Sequence, residues 1–213
     1  MGKNYKGLLR YRWIVYASVT SVFFFVYFHR VVPAAMSQTF MKEWSLSGTV
    51  LGIMSSLYFL LYAAVQIPAG VLADFVGPKK LIMLSAISMA VGSFLSYIAP
   101  TFAILAISRA LIGAGAGLIF VPLTKILRYW FRRREFVTMI GLNASISNIG
   151  AILASAPLIA FMLLVGWRKV FLYIALITLF LVIANMKFVE DSPEKRAFLR
   201  LSNIKSTLQR SWI

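Results

Sequence analysis

The sequence predicts an all-α membrane protein that crosses the bilayer six times, with both termini in the cytoplasm. Three observations carry that expectation. Apolar residues make up 61% of the 213 positions and charged residues only 13%, a balance far outside the soluble range. The apolar residues fall in six blocks, each long enough for the ~20 helical residues that cross a ~30 Å hydrocarbon core. The Lys and Arg residues, which give a formal net charge of +16, are distributed unevenly between the loops of the two sides.

Residues 1–12 form a basic cytoplasmic N-terminus with Lys3, Lys6, Arg10 and Arg12. The apolar stretch behind it is too long for a signal peptide, and further spans follow it. The transmembrane bundle occupies residues 13–186, with spans expected over 13–41, 46–72, 81–99, 102–123, 137–165 and 170–186. Residues 187–213 form a cytoplasmic tail, in which Ser192-Pro193-Glu194 has the pattern of an N-cap, a first-turn proline and an early acid. Ala197, Leu201, Ile204 and Leu208 then share one face, which suits an interfacial amphipathic helix; a solvated tail is the alternative.

An even number of spans puts both ends on one side. Seventeen of the 22 Lys and Arg residues lie on that side, against Lys42, Arg168 and Lys169 on the other, so the positive-inside bias makes the terminal side cytoplasmic. The basic residues sit in short runs between apolar blocks rather than on one face, so nucleic acid is not the expected partner. Without cysteine there is no disulfide, thiolate metal site or thiol nucleophile. One histidine and no carboxylate within a span leave no constellation for a membrane-embedded enzyme, and no metal or other cofactor is expected.

The loop between spans two and three reads Gly70-Val71-Leu72-Ala73-Asp74-Phe75-Val76-Gly77-Pro78-Lys79-Lys80. Gly70 allows close helix approach and Gly77 a positive φ. Asp74 is suited to accept hydrogen bonds from a neighbouring helix N-terminus, and Lys79 and Lys80 anchor the next span. The set reads as a breakable conformational latch. It resembles the loop signature of the major facilitator superfamily, which carries Gly, an acid four residues on, then Gly and two basic residues. The family usually has a basic residue directly after the acid, where this chain has Phe75. Three further segments are similar to the same family: Arg109 followed by Gly113, Gly115 and Gly117 in span four, Trp130-Phe131 at its end, and Gly166-Trp167-Arg168 before span six. The resemblance implies half of a major facilitator fold, with six helices arranged as two inverted three-helix repeats.

Arg30 and Arg109 fall inside spans, while all six acids fall in loops or tail. A charge there is costly unless it meets protein, water or a counter-ion. At ~1.5 Å per residue, Arg30 lies ~26 Å along span one and Arg109 ~10 Å below the outer end of span four, so their depths are similar. In the resembled fold, spans one and four line a central cavity, and two cations there imply an anionic substrate. Phe23, Tyr27, Arg30 and Ala34 share one helix face, an aromatic platform beside a guanidinium that grips carboxylates bidentately. The alternative is that the arginines satisfy backbone carbonyls. Tyr58, Tyr62 and Gln66 on span two and Asn143 and Asn148 on span five offer further polar groups, either for substrate or for interhelical packing.

The segment Tyr27-Phe28-His29-Arg30 resembles that of the anion:cation symporter branch, which handles organic and sugar acids and often has an acid where His29 stands. Arg30, Tyr27, Arg109, Tyr62 and Asn143 are the residues expected to bind a small organic anion. His29 couples a proton, or is a packed histidine; sodium is the other candidate coupling ion. The expected function is secondary active transport by alternating access in a bacterial cytoplasmic membrane. A second six-helix half is then required, as a second copy of the chain or a separate subunit, and in a homodimer Asp74 would meet the partner's fifth span. A regulatory, non-transporting membrane subunit and a truncated transporter are the alternatives.

Overall fold

In the computed structural model, residues 2–194 are described, and they form nine helices and no strand. Six spans result: α1 (Gly2–Ala35), α3 (Gly48–Phe75), α4 (Pro78–Ile98), α5 (Phe102–Gly117) continued by α6 (Phe120–Trp130), α7 (Arg133–Leu153) and α9 (Trp167–Phe188). Two short helices, α2 (Ser37–Trp44) and α8 (Ala156–Val165), follow spans one and five. Pro193 and Glu194 are helical, at the expected start of the tail helix, and the positions from 195 on over which that helix was expected lie outside the described residues.

The prolines explain where the spans depart from the hydropathy reading. Proline has no N–H to give the carbonyl four residues before it, and its ring crowds that carbonyl. Pro157 withdraws the partner of the Leu153 carbonyl, and α7 ends at Leu153. The span expected over 137–165 is therefore two helices, with Ala154 and Ser155 between them. Pro122 does the same at Leu118, where α5 gives way to α6. Span one, expected to reach residue 41, stops at Ala35, two residues past Pro33. The chain then turns into α2, which closes on Ser45 in the left-handed region (φ 51°).

Glycine backs the tightest helix contacts, as small residues do in membranes. A Cβ at Gly113 would collide with the backbone of Tyr58, one at Gly117 would lie 2.5 Å from the Tyr62 carbonyl oxygen, and one at Gly150 would lie 2.6 Å from that of Phe24. These contacts set α5 against α3 and α7 against α1. Gly70, expected to allow close approach, does not: a Cβ there meets nothing within 4 Å. Its carbonyl instead accepts from Lys125 Nζ at 3.2 Å.

Ion pairs sit at the two ends of the bundle. The basic end carries Arg12–Glu135 (2.9 Å), Lys79–Glu190 (3.0 Å) and Lys125–Asp74 (2.6 Å). The opposite end carries Arg168–Glu43 (2.7 Å), with Trp167 Nε1 donating to the same carboxylate at 2.5 Å. Ile67, Phe75, Val137 and Leu164 are more than three-quarters exposed. Most of α3 and α7 therefore faces away from the bundle core.

Candidate functional site

Between the two ends lies a cluster of two arginines and three tyrosines on spans one, two and four. Phe23, Tyr27 and Arg30 share the expected face of α1, with the Phe23 and Tyr27 rings 5.4 Å apart. The Arg30 guanidinium lies between two rings, 4.8 Å from Tyr27 and 5.0 Å from Tyr62 on α3. Tyr62 stacks on Tyr58 at 6.3 Å, and Tyr58 in turn faces the Arg109 guanidinium at 5.1 Å. The glycines at 113 and 117 bring the backbones of these two tyrosines against span four. The small-residue stripe thereby sets the rings on the arginines.

Arg109 is buried, 1% exposed, and its Nη2 donates to the carbonyl oxygen of His29 at 2.5 Å. That contact bears out the similar depths inferred for Arg30 and Arg109, because His29 adjoins Arg30. Arg109 Nε and Nη1 and Arg30 Nε have no protein partner. No acid stands near: Asp74, Glu135, Glu190, Asp191 and Glu194 lie at or beyond the basic end, and Glu43 at the opposite end. A cation–π contact contributes ~0.5–2 kcal/mol and one hydrogen bond to a charged group ~1.5–3. An uncompensated charge in such surroundings costs several kcal/mol. The cluster therefore has a surplus of positive charge and of donors, and an anion is the species that offsets both.

His29 and Asn143 stand apart from this cluster. The His29 ring is fully buried and faces α4, with Nε2 3.3 Å from Ser93 Oγ, which itself donates to the Met89 carbonyl at 2.8 Å. Asn143, 2% exposed, lies on α7 between Met139, whose carbonyl accepts from the Tyr16 hydroxyl at 3.3 Å, and Gly150 under Phe24. That position is level with residue 20 of α1, about 15 Å along the axis from Arg30. Tyr58, read from sequence as one of several polar groups on span two, turns out to contact Arg109 directly. Its signal was the four-residue spacing to Tyr62.

The loop motif assembles at the basic end with partners from elsewhere in the chain. Asp74 meets the side chain of Lys125 on α6 rather than a helix N-terminus. Gly77 has φ +92° and precedes Pro78 at the first position of α4, so Lys79 and Lys80 stand in the first turn, where the helix dipole disfavours cations. Asp191 offsets this by accepting from the Lys79 backbone N–H at 2.8 Å, and Glu190 pairs with the Lys79 side chain. Trp130 Nε1 donates to the Glu190 carbonyl at 2.8 Å. The segment after span six is thus fastened across the ends of spans three and four.

A family model described as Major Facilitator Superfamily matches residues 18–210. Among curated proteins, the chain is 26% identical to a probable sulfoacetate transporter, SauU, of Cupriavidus necator, over 90% of this chain and 45% of that protein. It is 26% identical to a probable L-galactonate transporter of Escherichia coli, over 84% and 41%, and 26% identical to a hexuronate transporter of Bacillus subtilis, over 71% and 36%. Among solved structures, a bacterial homolog to the human lysosomal transporter Spinster in an inward-facing conformation superposes with a TM-score of 0.77 at 18% identity, over 86% of this chain and 44% of that one. A D-xylose-proton symporter superposes with a TM-score of 0.74 at 15% identity, over 93% and 53%. These two likenesses establish the fold. The chain spans less than half the length of the curated relatives it matches.

Proposed function

The chain belongs to the major facilitator superfamily, and from that premise we propose that it forms one six-helix half of a secondary active transporter for a small organic anion, a carboxylate or sugar acid. The observation that carries this reading is the pair of guanidiniums held level inside the bundle against tyrosine rings, with no carboxylate beside them. Arg30 is the anion grip: partly exposed and flanked by Tyr27 and Tyr62, it has an Nε without a protein partner and a planar guanidinium suited to a carboxylate. Arg109 adds a second positive charge at the same depth. The named substrates of the similar transporters, sulfoacetate, galactonate and hexuronates, support an anion of this class.

In this proposal a second six-helix half covers the open face of α3 and α7 and supplies the other wall of the cavity, which rocks between inward-open and outward-open states. The loop from Gly70 to Lys80 acts as the latch between those states, with the Asp74–Lys125 pair as its breakable contact. A proton is the coupling ion carried by the proposal, with His29 as its acceptor, and the bacterial cytoplasmic membrane is its location. Family membership and the absence of carboxylates along the described spans favour transport over catalysis.

Cells expressing the protein are expected to accumulate a labelled sugar acid or sulfoacetate faster than control cells, with saturation. Unlabelled organic anions of this class compete in that uptake, and a neutral hexose does not. Equal competition by the neutral hexose would remove the anion from the proposal.

A further inference from the structure

We infer that Pro33, Arg109 and Tyr58 form a clip that fixes the turn of span one immediately before Arg30, which makes Arg109 a positioning residue for the anion grip. Pro33 lies inside α1, and the helical partner it cannot supply belongs to the carbonyl of residue 29. That is the carbonyl to which Arg109 Nη2 donates from span four. One turn earlier, the Tyr58 hydroxyl donates to the Val26 carbonyl at 3.1 Å from span two. The two donors are in contact, the Arg109 guanidinium lying 5.1 Å from the Tyr58 ring. Spans two and four therefore hold span one by its backbone at residues 26 and 29, and Arg30 is the next residue along.

Pro122 and Pro157 show what a proline gap does where no such donor stands, although α3 runs on past Pro68 in an exposed stretch. At Pro122 and Pro157 the carbonyls four residues back mark the places where α5 and α7 end. At Pro33 the helix continues past the gap to Ala35 with an arginine side chain in place of the missing N–H. A buried carbonyl left unpaired keeps its full desolvation penalty, so a donor from another span holds that span firmly. Arg109 Nε and Nη1 remain without protein partners, so the charge stays beside the grip while Nη2 is engaged.

The inference rests on Arg30 as the anion grip for its functional part, and its structural part stands without it. The test is a double-mutant cycle of Arg109→Gln with Pro33→Ala, in which the alanine restores the backbone N–H that the His29 carbonyl lacks. Arg109→Gln alone is expected to raise the half-saturation concentration for anion uptake about tenfold, with a smaller change in maximal rate. In the Pro33→Ala background the same substitution is expected to raise it about threefold or less. The melting temperature of the detergent-purified protein should follow the same pattern, with Pro33→Ala rescuing part of the loss and Pro68→Ala, in the exposed part of α3, rescuing none. Equal losses in both backgrounds, in melting temperature and in uptake, would overturn the clip. Rescue of the melting temperature together with unchanged uptake in Arg30→Gln would leave the clip standing and overturn the anion grip.

Discussion

Replacing Arg30 with Gln is expected to abolish the proposed saturable uptake of an organic anion, by about a hundredfold or more in rate at low substrate, the loss that removing a bidentate pair worth roughly 3 kcal/mol would give. The protein itself should fold as before. Arg30 has no acid partner and its Nε is unpaired, and a neutral amide loses the cation–π attraction of the Tyr27 and Tyr62 rings but also the cost of the unpaired charge. Removing an uncompensated charge costs the folded state little. Arg30→Lys keeps the charge and loses the planar fork, so it should retain a small fraction of the activity with a raised half-saturation concentration. Initial rates in cells matched for membrane expression provide the measurement. Full activity in Arg30→Gln would take the residue out of the site.

Gly113→Leu is expected to have the largest effect on stability. A Cβ at that position already collides with the Tyr58 backbone, so the larger side chain drives α3 away from α5. Overpacking of this kind costs typically ~1–3 kcal/mol, which lowers the melting temperature by roughly 2–12 °C in a chain of this size. Because Tyr58 carries the ring against Arg109, the same displacement is expected to loosen the clip and the proposed anion site together. Gly70→Leu is the matched control, since a Cβ at Gly70 meets nothing within 4 Å. Thermal denaturation in detergent compares the two. Equal melting temperatures would show that the helix contact at Gly113 has no part in holding the bundle.

Much of the fold was legible because its signals are local. Apolar block length located the six spans, and charge placed both arginines inside them with no acid to meet them. The shared depth of Arg30 and Arg109 followed from helical rise alone, and the structure bears it out through the contact of Arg109 with the residue next to Arg30. The face shared by Phe23, Tyr27 and Arg30 was legible for the same reason. The alternative weighed for the arginines, that they satisfy backbone carbonyls, holds for Arg109.

What hydropathy missed depends on backbone chemistry or on distant partners. Span five ends early because Pro157 lacks an N–H, a signal that was present in the sequence but that apolar continuity overrode. The partner of Asp74 is Lys125, 51 residues away, and the cap of α4 is Asp191, beyond span six; no local pattern indicates either. His29 and Arg30 are neighbours in sequence, yet a turn of about 100° between successive helical residues sends one ring toward Ser93 and the other side chain toward Tyr62. Asn143 was expected beside the arginines, but its level along α7 becomes readable only from the contacts of Met139 and Gly150 with α1.

If the arginine–tyrosine cluster binds an organic anion that the assembled protein carries across the membrane, that anion must exchange across a bilayer that contains the protein. Counterflow in proteoliposomes tests it most directly. Vesicles containing the purified protein and loaded with unlabelled galactonate, glucuronate or sulfoacetate receive a trace of the same labelled anion outside. The account predicts transient accumulation of label above its equilibrium level for at least one of the three, lost in Arg30→Gln. Label entering no faster than into protein-free vesicles for all three anions would contradict it.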